Sequence, residues 1–260
     1  MQRIRPINRA MRRGVTLIEI TIVITILPLI ITAFILVLDK TLGDAKTVAA
    51  QSTYDITSSL AIDRMEDDVR ASTAFNSSVS APYSDPYQPV AGWNYVGTGS
   101  TDRVMILSLP ATTVRENATT RSVAYQDSAT YDCATQLTLN PIMTYRAIYF
   151  VNNATLYKRF LTDTTTPTCA TQIQKQTCPS ASIASWPSIC KARDEVIAED
   201  VLAFSVDYHQ DRSADALPNQ YTDTGALSIA RAATITLKIG KITNSKSTTS
   251  TQTLRIVRMN

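Results

Sequence analysis

From Val15 to Leu38 the chain carries 24 consecutive residues of which only Glu19 is ionisable. As an α-helix this run extends about 36 Å at roughly 1.5 Å per residue, more than the roughly 30 Å hydrocarbon core of a bilayer. Before it stand Arg3, Arg5, Arg9, Arg12 and Arg13, with no acid among the first 14 residues. That asymmetry predicts a single pass with the N-terminus cytoplasmic and residues 39–260 outside. A secretory signal would have a shorter apolar core followed by a small-residue cleavage site. Asp39-Lys40-Thr41-Leu42 offers no such site. Pro28 lies mid-span and removes a backbone donor, which predicts a kink or local loosening.

Charge divides the same way. The formal net charge is +3, and removal of the five leader arginines leaves −2. The exported part therefore has no overall basic field of the kind that non-specific nucleic-acid binding needs. Nucleic acid is an unlikely partner on this ground, although a local basic patch is still compatible with the count.

The residues ahead of the apolar run read Arg12-Arg13-Gly14-Val15-Thr16-Leu17-Ile18-Glu19. This resembles the signal of type IV prepilins, in which a basic leader ends in Gly and the mature chain usually begins Phe-Thr-Leu-Ile-Glu. Val15 departs from the commonest first residue. The resemblance implies cleavage after Gly14 by a prepilin peptidase, N-methylation of Val15, and a docking role for Glu19 toward the amino terminus of a neighbouring subunit. Gly suits the scissile position because it permits an extended chain and close backbone approach. A plainer reading covers part of the motif: Thr16-x-x-Glu19 is a capping box, and an acid there favours the helix N-terminus. A capped signal anchor explains Thr16 and Glu19, but not Gly14, the arginine-rich leader and Leu17-Ile18 in one register.

Asp39 to about Phe75 contains no Pro and one Gly, predicting that the helix continues into the exported part. Its apolar stripe is Leu42, Ala45, Ala49 and Ile56, then Ile62, Met65 and Val69. The alternating charges of Asp63–Arg70 read as a solvated helix face with local ion pairs. Residues 76–101 are loop-like, with Pro82, Pro86, Pro89, Gly92, Gly97 and Gly99. Their aromatics Tyr83, Tyr87, Trp93 and Tyr95 fit packing onto a sheet better than an exposed contact surface.

Strands are expected over Arg103–Leu109, Thr144–Val151, Leu156–Leu161, Val201–Tyr208, Ala233–Ile239 and Thr253–Arg258. Asn152-Asn153-Ala154 reads as a hairpin turn, since Asn tolerates positive φ. Thr243–Thr253 reads as an exposed Ser/Thr-rich hairpin loop. The phrases Tyr145–Tyr149, Leu156–Arg159 and Ile197–Phe204, with the charged run before them, are similar to the J-type and W-type minor pilins.

Cys133, Cys169, Cys178 and Cys190 all lie in the exported part. Their even number predicts two disulfides, with three possible connectivities. Zinc is the rival reading, but there is no C-x-x-C spacing and His209 is the only histidine. A lone His209 at a strand end reads as a surface residue. No triad, phosphate loop or nucleophile elbow is visible, so enzymatic activity and cofactors are not expected. The tripeptides at Asn76, Asn117 and Asn153 match glycosylation sequons and are assigned nothing.

The expected fold class is α+β: a long N-terminal helix, membrane-spanning in its first half, packed on an antiparallel sheet. The expected parts are a cleaved leader (1–14), a membrane or fibre-core helix (15–38), a helix entering the head (39–75) and a β-rich head with long loops (76–260). The resemblance implies a minor pilin or pseudopilin that helps start assembly of a type IV pilus-like fibre. Its partners would be the prepilin peptidase, other pilins, the assembly platform and the membrane. A pilus-borne adhesin and an uncleaved, signal-anchored surface protein are the alternatives.

Overall fold

A computed structural model describes residues 16–80, 93–95, 103–112, 122–127, 133–134, 140–162, 168–169, 176–179, 190–209, 227, 229–243 and 246–259, without the side chains of residues 190, 191, 243 and 246. The chain divides into two compact units, one ending at Ala50 and the other beginning at Gln51.

Among the described residues, a long helix, α1, runs Leu17–Ala71. It continues without interruption through Pro28, where Thr32 Oγ1 donates to the Pro28 carbonyl at 2.8 Å. It ends at Ala71, four residues before the expected limit of Phe75. Ser72 turns the chain, its hydroxyl donating to the Val69 carbonyl at 2.7 Å, and Thr73 N–H then bonds to the Ser108 carbonyl at 2.8 Å. The backbone is thus captured by a sheet, and Ala74–Phe75 form strand β1.

The other strands are β2 (Ser78–Val79), β3 (Trp93–Asn94), β4 (Met105–Pro110), β5 (Thr144–Asn152), β6 (Thr155–Leu161), β7 (Gln176–Cys178), β8 (Cys190–Arg193), β9 (Glu195–Ala198), β10 (Val201–His209), β11 (Ala232–Thr243) and β12 (Lys246–Val257). Five form a sheet in the order β1-β4-β5-β6-β9, and three form a second in the order β10-β11-β12. Both are antiparallel throughout. The remaining pairs are small ribbons, β2 with β3 antiparallel and β7 with β8 parallel. The architecture is α+β, with one long N-terminal helix and antiparallel sheets.

Two predicted features need correction. Thr243–Thr253 is not a loop: most of it is β12, whose pairing with β11 runs from Ala232↔Val257 to Thr243↔Lys246. Threonine is β-branched and favours a pleated strand, and Thr236 and Thr253 share a cross-strand hydroxyl contact of 3.1 Å. Gly240 permits the close approach here, for a Cβ on it would lie 2.3 Å from the Thr248 carbonyl oxygen. The helical stripe is also only half right. Ser58, Ala61, Ile62, Met65 and Val69 are buried at i, i+3, i+4, i+7 and i+11, whereas Leu42, Ala45, Ala49 and Ile56 are exposed.

The hairpin at Asn152-Asn153-Ala154 forms as expected, with positive φ at Asn153 (48°) and also at Ala154 (57°). Ile197–Phe204 is divided between two sheets. Asp200, at φ 54°, lies in the short turn between β9 and β10, and its carbonyl accepts the Gly240 N–H at 2.8 Å.

Period-2 alternation gives the five-stranded sheet two apolar faces. Ala147, Tyr149, Leu156 and Phe160 join Ile62, Met65 and Val69 of α1 in the main core. Ile106, Ile148, Phe150 and Leu161 point the other way and form a second cluster with Trp93. Trp93 lies against Phe150 at 4.4 Å between ring centroids, and Tyr95 meets Tyr208 at 6.3 Å. These two aromatics pack into the fold, as expected; Tyr83 and Tyr87 lie outside the described residues.

Candidate functional site

The apolar run of α1 is exposed all round. Leu17, Ile18, Leu29, Phe34 and Leu36 each keep more than half of their surface open. A helix that is hydrophobic on every face belongs in an apolar medium or against apolar partners. By length and composition this helix is able to cross a membrane.

At its start the predicted capping box is made. Glu19 N–H donates to Thr16 Oγ1 at 3.3 Å, and Glu19 Oε2 accepts from Thr16 N–H at 2.9 Å and from its hydroxyl at 3.1 Å. The carboxylate thus satisfies the Thr16 N–H and the Thr16 hydroxyl satisfies the Glu19 N–H, two backbone donors that a helix start leaves open. Gly14, Val15 and the leader residues Arg3, Arg5, Arg9, Arg12 and Arg13 lie outside the described residues, so Glu19 is the one predicted processing or docking residue with described geometry.

In the head, the charged run Asp63–Arg70 does more than form a solvated face. Glu66 and Arg70 pair along the helix, as expected. Arg64 reaches Glu195 of β9 at 2.9 Å, and Asp68 reaches Lys158 of β6 at 2.5 Å. Tyr149 of β5 donates its hydroxyl to the same Asp68 oxygen at 2.7 Å. Tyr149 pairs with Lys158, and Lys158 with Glu195, so the three form one cross-strand row beneath the helix. Burial, and then the Asp68 carboxylate, push the Tyr149 phenol well above its ordinary range. Near the helix's entry into the second unit, Gln51 Nε2 donates to the Thr249 carbonyl at 3.1 Å, and Ser58 and Ser250 share a buried hydroxyl contact.

Cys133 and Cys169 form a disulfide, and Cys178 is disulfide-bonded as well. The Cys190 side chain lies outside the described residues. Asp127, Cys133 and Cys169 hold their donor atoms within 4.8 Å of one another. The two sulfurs are bonded to each other, which leaves no thiolate there for a metal.

His209 does not sit on the surface. It is 7% exposed, and its Nε2 lies 2.9 Å from Thr234 Oγ1. Burial lowers its basicity, the nearby Arg255 cation lowers it further, and Asp207 opposes them. The sequence reading also missed a buried ion pair in the second cluster. Arg159 is fully buried, bonded to Asp194 at 2.5 Å, and stands 5.3 Å from the Trp93 ring and 5.1 Å from that of Phe150. The only hint in the sequence is period: Arg159 shares its parity in β6 with Tyr157 and Leu161, which face that same cluster.

No known protein family matches the chain, and no curated protein sequence matches it.

Proposed function

We propose that the chain is a prepilin-like subunit, cut after Gly14, whose apolar helix is held in the membrane and then packed with other subunits into a type IV pilus-like fibre. Arg12 to Glu19 carries this reading, because one register joins a basic leader, a Gly, Thr16-Leu17-Ile18 and an acid at the head of an apolar run. The exposed run from Leu17 to Leu38 supports it, since it needs either lipid or like helices around it. The orientation, N-terminus in and head out, follows from the leader arginines.

The chain would keep 246 of its 260 residues after the cut. Its size favours a sparse subunit near the fibre tip, a minor pilin or pseudopilin, over a major repeating one. Glu19 is the docking group in this reading. Its Oε2 already bonds to Thr16, so a neighbour's amino terminus has to share or replace that cap. The role is structural, with no reaction assigned to the head.

The capping box favours one second reading. Because it satisfies Glu19 within the chain, a permanently anchored surface protein needs no partner for that carboxylate. N-terminal sequencing and intact mass of the native protein, with and without the prepilin peptidase, separate the two. A chain beginning at methylated Val15, seen only with the peptidase, supports the pilin reading. Retention of residues 1–14 under both conditions overturns it and leaves the anchor.

A further inference from the structure

The row Tyr149–Lys158–Glu195 meets Asp68 of α1 inside the head. Lys158 and Asp68 keep only 12% and 19% of their side-chain surface, which removes most of the water from around the pair. The ammonium lies 4.9 Å from the centre of the Phe160 ring and 5.7 Å from that of Tyr149. An ion pair held this way has given up much of its hydration. Conversion to an amide removes both charges together.

We propose that Lys158 and Asp68 form an intramolecular amide, Lys158 Nζ bonded to Asp68 Cγ, which ties β6 to α1 covalently. The ammonium passes one proton to the carboxylate, giving a neutral amine and a carboxylic acid. Nζ attacks Cγ, the C–OH bond breaks, and the hydroxyl leaves with a second amine proton as water. One –NH3+ and one –COO− thus become –NH–CO– and H2O, with nothing oxidised or reduced and no co-reactant. Positioned reactants of this kind reach effective concentrations of about 10⁵–10⁸ M, which drives a condensation that dilute water disfavours.

The neighbouring groups suit the step. The Tyr149 hydroxyl donates to Asp68 Oδ2 at 2.7 Å, the oxygen that Nζ also contacts and that leaves as water, and so steadies the charge on it as its bond to Cγ breaks. Burial keeps this phenol protonated and therefore a donor. Glu195, directly across from Lys158, supplies a second carboxylate on the row and positions it through Arg64. The cross-link is independent of whether the chain is a fibre subunit.

The test is peptide mapping by mass spectrometry of the full-length chain, purified in detergent, reduced and digested with trypsin. The expected product is one joined species containing both Asp68 and Lys158, about 18 Da lighter than its two parts, the mass of one water. Cleavage after Lys158 should be lost. Lys158→Arg should return two linear peptides, and Tyr149→Phe should slow joining severalfold in freshly made protein. Recovery of the Asp68 and Lys158 peptides separately at their unmodified masses, from protein whose circular dichroism shows it folded, would overturn the proposal.

Discussion

Buried in β10 with its Nε2 on Thr234, His209 loses basicity to burial and to the nearby Arg255 cation. Its folded pKa lies below the ordinary value of about 6.5, so below that pH the unfolded chain takes up the proton first. Stability is therefore full above about pH 6.5 and declines as pH falls through the depressed folded value. Urea midpoints measured from pH 7.5 to pH 5 should fall for the native chain, and His209→Gln should flatten that part of the profile. An unchanged slope in the variant would assign the pH dependence elsewhere. Ala154 is a second residue-scale case, because φ 57° disfavours any side chain with a Cβ. Ala154→Gly relieves that strain and should raise stability by about 0.5–1 kcal/mol, measured by the same denaturation.

Along α1 a single periodicity gives opposite outcomes at different positions. Met65 is fully buried, whereas Ile56 is 59% exposed. Met65→Ala should cost about 2–5 kcal/mol by cavity formation. Ile56→Ala should change stability by less than about 0.5 kcal/mol. Equal losses in thermal unfolding would mean that Ile56 is covered in solution. Helical spacing lists apolar positions, but it does not state which of them a sheet covers. Among the described residues, the buried group begins at Ser58, where the helix meets Ser250 of β12. Strands were more legible than loops, since β5, β6 and β10 begin within a residue of expectation. β12 was misread because Ser and Thr serve turns as well as strands, and pairing with β11 decides between them.

For the whole molecule, the two compact units predict separable behaviour. The second unit holds the main core, with Met65, Phe75, Tyr149, Phe204, Leu237 and Ile239 all fully buried. A chain beginning at Gln51 should stay in solution without detergent and keep its β-sheet circular dichroism. The full chain, with the exposed run Leu17–Leu38, should need detergent or lipid. Aggregation of the shortened chain would show that the head depends on residues before Gln51. Net charge is a weak signal for a similar reason: +3 describes neither the arginine-rich first 14 residues nor the −2 of the rest.

Sequence alone determined that this chain holds an apolar segment long enough to cross a bilayer, with a capped acid at its start and β-rich residues after it. Those features are local: length, period and the Thr16–Glu19 spacing need no distant partner. Only tertiary structure decided that His209 is buried, that Arg159 is paired inside an aromatic cluster, and that Asp68, Tyr149, Lys158 and Glu195 share one row. These residues lie far apart in sequence, and their environments arise from strand register and from which face of β6 looks toward the helix. A register shift of one residue would exchange Lys158 and Arg159 between the two cores. That choice follows from the burial of all strands together, so no single segment of the sequence records it.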